Sequence, residues 1–326
     1  MNFYLASLLV LGSMSPLTQA FAQAYPAKPV RIIVPFAAGG ALDATARIVG
    51  TPMAESMGQP VIVENRPGGS SIIGMQACAR APADGYTTCF TVADSLSYNP
   101  HLFRDLPYDA EKDFAPVINL VRGYGIILGK GTATFNSFRD MVAQAKAKPG
   151  VFNWGTWGPA SSPDIFLQWT KLEKDVDIAA VAYKGAGGAA VPALLAGEID
   201  ITLMTVGPML PHIKAGKLKP LAIIGSKRWP GLPDVPSLAE EGADPGLNSY
   251  WGVYAPTATP KPLIDRLNAE FAKALKTPKV LEFLRTQTLD PDGGSADEFA
   301  RFLKEDRANS SRVFKRLGVK PGDAPS

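Results

Sequence analysis

The chain has 326 residues, which predicts two domains at roughly 150 residues each. Its hydrophobic content of 46% and charged content of 19% supply enough apolar mass for two cores in a globular protein. The net charge of +3, with no basic run, argues against nucleic acid or an anionic membrane surface as a partner.

The first 24 residues contain no charged side chain. An apolar stretch from Leu5 to Leu11, then Ser13, Pro16 and the tripeptide Ala22-Gln23-Ala24, predicts a secretory leader cleaved before Tyr25. That stretch is too short to span a bilayer. Met1 to Tyr4 lacks Lys and Arg, so a misplaced start or an unstructured tail stays open as the alternative.

Pro29 to Phe36 contains a short β-branched run that ends at Pro35 and predicts a buried strand. Gly39-Gly40 precede a helix from Ala41 to about Ser56, with a kink or early stop expected at Pro52. Val61 to Glu64 is the next strand, Ile72 to Ala81 a helix, and Tyr86 to Val92 a third strand. This alternation predicts a parallel sheet wrapped by helices. Phe114 to Leu128 reads as one long extended run that passes between lobes. A second α/β unit follows. Its helices are Ser137 to Lys146 (with Ser137 as cap), Pro163 to Leu172 and Ala189 to Ala196. Its strands are Val151 to Trp154, Ile178 to Tyr183, Ile199 to Met204 and Leu221 to Ile224. A Pro-rich link, Trp229 to Pro236, leads to Tyr250 to Tyr254, after which only helices are expected: Lys261 to Leu275, Lys279 to Gln287 and Ala296 to Leu317. Cys78 and Cys89, on neighbouring elements, form either one disulfide or two buried thiols, and their spacing is not that of a metal site.

Three strand-to-helix turns place small residues directly before a helix: Phe36-Ala37-Ala38-Gly39-Gly40, the stretch from Gly155 to Ser162, and Tyr183 to Gly188. Helix N-termini carry unpaired N–H groups and a positive dipole end, and glycine lets a ligand approach them. Such turns lie at the carboxyl ends of parallel strands, where ligands bind. A shared anion site is the implied chemistry, with carboxylate the commonest small anion; a tight connection that simply needs glycine is the alternative at each turn. Asp43 either complements its helix dipole or meets a ligand donor, and Lys184 either pairs with a carboxylate or is solvated. Trp154 and Trp157 either wall a pocket or pack as core, with core favoured for Trp154.

Catalysis has little support. The only histidines, His101 and His212, lack metal-ligand spacing, and no G-x-S-x-G elbow or acid–base carboxylate pair stands out. Gly185-Ala186-Gly187-Gly188-Ala189-Ala190 fits a loose dinucleotide pattern, but Glu198 and Asp200 are misplaced for the ribose-binding acid. No cofactor and no metal are expected.

Several stretches together resemble one family. They include Tyr25-Pro26 with Lys28 to Phe36, Ala38-Gly39-Gly40 with Asp43 and Arg47, and Val63 to Gly68. Asp84 to Thr87, Leu106 to Asp109, Lys112 to Val117, and Tyr183-Lys184-Gly185 continue the series. Leu194 to Asp200, Gly216 to Leu218, Leu232 to Ser237, Ala255-Pro256 and Thr259-Pro260 complete it. In their order and number they resemble the substrate-binding proteins of tripartite tricarboxylate transporters, the Bug or TctC type. The resemblance implies an α/β, type II periplasmic-binding-protein fold with two Rossmann-like lobes, a central cleft and two crossing segments. It further implies residues 25–124 and 248–326 in one lobe and 125–247 in the other. A ligand carboxylate would be gripped between the loop Phe36 to Gly40 and the loop Tyr183 to Gly185, and the closed monomer would be read by a membrane permease. Docking on a membrane signalling partner, or an exported dinucleotide enzyme, are the competing expectations.

The chain departs from the family where ligand side groups would be read. Val92-Ala93-Asp94-Ser95, the loop Thr156 to Ile165 and Met204-Thr205 are unlike the usual forms, although Gly158 and Ser161 match. Asp94, Ser95, Trp157, Gly158, Ser161 and Thr205 are therefore candidate contacts, and an altered, more apolar or aromatic-lined specificity is expected.

Overall fold

The computed structural model describes residues 25–158, 161–183 and 187–323. The expected leader, Lys184 and Gly185 lie outside the described residues.

The chain runs β1 (Val30–Val34), α1 (Ala41–Met57), β2 (Val61–Asn65), α2 (Ile72–Ala79) and β3 (Thr87–Val92). A π-helical turn, Asp94–Tyr98, and α3 (Asn99–Leu102) come next, then β4 (Phe114–Gly123) and β5 (Gly125–Lys130). The second unit comprises α4 (Phe138–Ala147), β6 (Asn153–Thr156), α5 (Ser162–Lys174), β7 (Ala179–Ala182), α6 (Gly187–Ala196), β8 (Ile201–Thr205), α7 (Val206–Lys214) and β9 (Leu218–Ile223). The chain finishes with β10 (Tyr250–Pro256), α8 (Lys261–Leu275), α9 (Pro278–Thr286), β11 (Leu289–Gly293) and α10 (Ala296–Arg316).

Two sheets result. One has the order β11-β4-β10-β3-β1-β2, and the other β7-β6-β8-β5-β9. In the first, β1 is parallel to β2 and β3, while β10 is antiparallel to β3 and β4. In the second, β6 is parallel to β7 and β8, while β5 is antiparallel to β8 and β9. The chain leaves the first sheet at Tyr124, between β4 and β5, and returns after β9 to enter β10. These two crossings make the expected α/β, two-lobed periplasmic-binding-protein fold.

Local physics explains the elements. Every residue of β1 except Arg31 is buried, as a strand covered on both faces requires. In α1, Leu42, Ala46, Val49, Met53 and Met57 repeat at three- and four-residue spacing and are buried. Their burial, about 1.5–3 kcal/mol for each large side chain, outweighs the roughly 3 kcal/mol that an internal proline costs. The helix therefore runs on through Pro52 to Met57, so of the expected kink or early stop the early stop does not occur. It ends at Gly58, whose left-handed φ of 67° lets its N–H reach Ala54. Ser137 caps α4 as expected, its side chain accepting from Asp140 N.

One further expectation is corrected, one is refined, and two helical stretches appear that no expectation covered. The run from Phe114 to Leu128 is extended and passes between the two sheets as expected, divided at Tyr124 into two strands. The tail is not wholly helical, because β11 pairs antiparallel with β4 at the sheet edge, where Pro291 is tolerated. Helix α7 begins directly after β8 despite Gly207, Pro208 and Pro211. The stretch directly after β3 is helical. Cys78 and Cys89, left open by the sequence, are joined in a disulfide between α2 and β3.

Candidate functional site

The loop after β1 is built around a brace. Gly39, at a φ of 85°, turns its N–H back to Asp43 Oδ2 at 2.9 Å. Arg47 binds the same carboxylate through Nε at 3.1 Å and through its NH2 group at 2.9 Å. Arg47 also donates to Asn65 Oδ1 at 3.0 Å, and Asn65 Nδ2 donates to the Phe36 carbonyl at 3.1 Å. Burial works to raise the Asp43 pKa, but the bonds from Arg47, Gly39 and Asn65 prevail and hold it below the ordinary aspartate value. Within this structure Asp43 positions the loop. Ala37, Ala38, Gly39 and Gly40 are exposed at its tip, whereas Phe36 turns inward.

On the opposite side, Ser161 staples the loop after β6. Its hydroxyl accepts from Trp157 N at 3.2 Å and donates to the Gly158 carbonyl at 2.7 Å, with Gly158 at a φ of 108°. This fixes Trp157 and delivers the chain to Ser162, the first residue of α5, followed by Pro163 in the position proline favours. Thr205 ends β8 and is the N-cap of α7, yet its side chain makes no capping bond. Tyr183 N donates to the Thr156 carbonyl at 2.8 Å, which ties its loop to β6.

Between the two sheets lies a cavity of about 270 Å³. Phe36, Asp94 and Trp251 line it from the six-stranded sheet, and Trp157, Ser162 and Thr205 from the five-stranded one. Tyr98, Phe166 and Tyr250 make its wall further aromatic. Larger hollows, among them two of about 800 and about 640 Å³, each border residues of one half alone. The space between the sheets suits a compact metabolite.

Of the candidates read from the sequence, the structure brings Phe36, Asp94, Trp157 and Thr205 to this cavity. The residues Ala37, Ala38, Gly39, Gly40, Asp43, Gly158, Ser161 and Tyr183 are not among those lining it. Ser95 is fully buried, bonded to Ser71 Oγ at 2.7 Å and Thr91 Oγ1 at 2.5 Å, and its carbonyl accepts from Tyr108. It anchors the π-helical turn from below.

Sequence reasoning missed Ser162, Tyr98, Asn248 and Trp251. Ser162 had a signal, since it precedes Pro163 at a helix start. The others meet the cavity only through the return crossing and a buried polar network. In that network Asp306 accepts from Ser97 Oγ at 2.6 Å and Asn248 Nδ2 at 2.8 Å, and Tyr98 OH donates to the Asn248 carbonyl at 3.3 Å. Burial drives the Asp306 carboxyl above its ordinary value, against those hydrogen bonds.

Asp94 Oδ2 accepts from Ser162 Oγ at 3.1 Å, a bond that joins the two halves. Burial raises its pKa, and the Ser162 bond offsets only part of the shift. The surface it keeps borders the cavity. The indole Nε1 of Trp157 is buried and has no acceptor among the described residues.

Residues 45–319 match the family described as tripartite tricarboxylate transporter family receptor. The periplasmic binding protein BugD is similar in structure, with a TM-score of 0.77 and 27% identity, covering 91% of this chain and 100% of its own. The R. palustris protein Rpa4515, solved with adipate, gives a TM-score of 0.79 and 30% identity over 91% of this chain and 100% of its own. MatC from Rhodopseudomonas palustris, solved with bound malate, gives 0.75 and 27% over 89% of this chain and 100% of its own.

Proposed function

We propose a receptor role that proceeds from one premise: the chain belongs to the tripartite tricarboxylate transporter receptor family. Its relatives of known structure are solute-binding proteins, not enzymes. The protein captures a small carboxylate in the space between its lobes, in the periplasm after removal of residues 1–24, and delivers it to a tripartite-type membrane permease. Its lobes are residues 25–124 with 248–326, and residues 125–247.

The observation that carries this reading is the cavity shared by both sheets. Two helices of the five-stranded side, α5 and α7, begin at it, through Ser162 and Thr205. Helix N-termini favour negative charge, by about 0.3–1 kcal/mol each and more when partly buried. Because Asp94 already faces α5, the ligand carboxylate goes to the α7 end, beside Phe36 and the buried Trp157 indole N–H. The loop tip Ala37 to Gly40 and Tyr183 close over it. Lobe closure is then a population shift, driven by tighter binding to the closed form.

Thermal denaturation with a panel of small carboxylates tests this. A ligand at one hundred times its Kd adds about 2.7 kcal/mol, which raises the midpoint of a chain this size by roughly 4 °C. No saturable shift with any mono-, di- or amino-carboxylate would refute the reading.

A further inference from the structure

The cavity combines two features that a simple carboxylate trap does not need. Its wall is aromatic, with Phe36, Tyr98, Trp157 and Trp251, and it holds an acid, Asp94. Among the described residues the side-chain partner of that acid is the Ser162 hydroxyl, at 3.1 Å, and no Lys, Arg or His pairs with it. A carboxylate that has lost water and gained only neutral donors, the Ser162 hydroxyl and its own backbone N–H, is costly to keep charged.

The raised pKa of Asp94, caused first by burial, is the same imbalance seen from the proton. A second anion placed beside it would deepen the penalty. A cation would remove it, and would also meet the negative faces of the surrounding rings.

We propose that Asp94 selects the far end of the ligand, favouring a carboxylate whose other end carries a protonated nitrogen over one that ends in a second carboxylate. The proposal rests on the carboxylate-receptor reading above. Within it, the α7 N-terminus holds the ligand's carboxylate, and Asp94 with the aromatic walls holds its ammonium group. Asp94 is thus a specificity-determining residue, and the Ser162 bond fixes its carboxyl across the closed cleft.

Matched pairs of equal chain length test it: 4-aminobutanoate with succinate, 5-aminopentanoate with glutarate, and 6-aminohexanoate with adipate. Each is titrated calorimetrically at neutral pH into the wild-type protein, Asp94→Asn and Asp94→Ser. At the best-fitting length the amino acid binds the wild type about tenfold or more tightly than its partner. In a folded Asp94 variant the preference falls to within about threefold or reverses, because the dicarboxylate gains. Equal or tighter wild-type binding of the dicarboxylate overturns the proposal without recourse to a variant, and so does a preference that survives both substitutions. Binding of none of the six compounds overturns this proposal, and the carboxylate reading falls with it only when no carboxylate of the thermal panel binds either, whereas a dicarboxylate preference removes this proposal alone.

Discussion

Gly207 lies in the first turn of α7, and a side chain there would collide with the opposite half. A Cβ built on Gly207 would stand 2.5 Å from the Gln287 carbonyl oxygen and 2.9 Å from its carbon, and would strike Thr288 Oγ1. Non-bonded carbon contacts settle near 3.5 Å or beyond, so the surfaces must part by about 1 Å. Rotamer change cannot supply this, because Gln287 is backbone at the end of α9, its N–H bonded to the Phe283 and Leu284 carbonyls. Overpacking of this kind costs about 1–3 kcal/mol. The two halves relieve it by separating, so the cost falls on the closed form. For Gly207→Ala we expect ligand affinity to drop about 5- to 150-fold, the equivalent of that energy. Titration calorimetry gives the affinity and small-angle scattering the compaction, with the ligand-free melting midpoint as the control. Affinity within twofold of wild type together with full ligand-induced compaction would refute the reasoning.

Other outcomes follow from the same geometry. Replacing Cys78 and Cys89 together by alanine opens a link between residues 11 apart in sequence, and urea denaturation should show a loss of about 3 kcal/mol by the chain-entropy relation; a loss below about 1 kcal/mol would contradict it. Trp157→Ala removes one aromatic wall and a buried indole donor, and should weaken ligand binding about tenfold, measured by calorimetry, while the melting midpoint of the free protein changes little. Asp306 has a folded pKa above its unfolded value of about 3.9. Its native form therefore holds the proton more tightly, and wild-type stability falls relative to Asp306→Asn as pH rises from the unfolded value through the folded one. Chemical denaturation of both proteins on either side of that window reads the difference; a gap that is constant with pH, or one that moves the other way, speaks against the assignment.

Much of the fold is visible along the chain because its strands are short, buried and bounded by turns. The β1 run from Val30 to Val34 and the capped start of α4 at Ser137 are local signals that tertiary contacts only reinforce. The misreadings occur where local propensity and final environment disagree. Leu289-Asp290-Pro291-Asp292-Gly293 has the composition of a turn, yet an edge position beside β4 makes it a strand. Thr205-Val206-Gly207-Pro208 looks unsuited to a helix, but proline near a helix start costs little. The division at Tyr124 falls within a stretch that is extended on both sides, and which sheet each half joins is set by tertiary pairing.

The site divides in the same way. Phe36 and Trp157 could be found because small residues mark their loops as strand-to-helix turns. Thr205 and Asp94 were singled out by departure from the family pattern, without a physical picture of what they do. The structure supplies one: Thr205 heads a helix the sequence hid, and Asp94 reaches across to Ser162. Asn248 and Trp251 belong to a crossing segment whose approach to the cavity depends on Asp306, more than fifty residues away along the chain. No local pattern encodes such a contact.

The most direct test of the account is a crystal structure of the protein with its ligand bound. The account predicts the ligand between the two sheets, its carboxylate at the start of α7 beside Phe36, and both lobes in contact with it. A ligand found instead in the hollow lined by His101, Lys304 and Arg307, touching one half only, would contradict it.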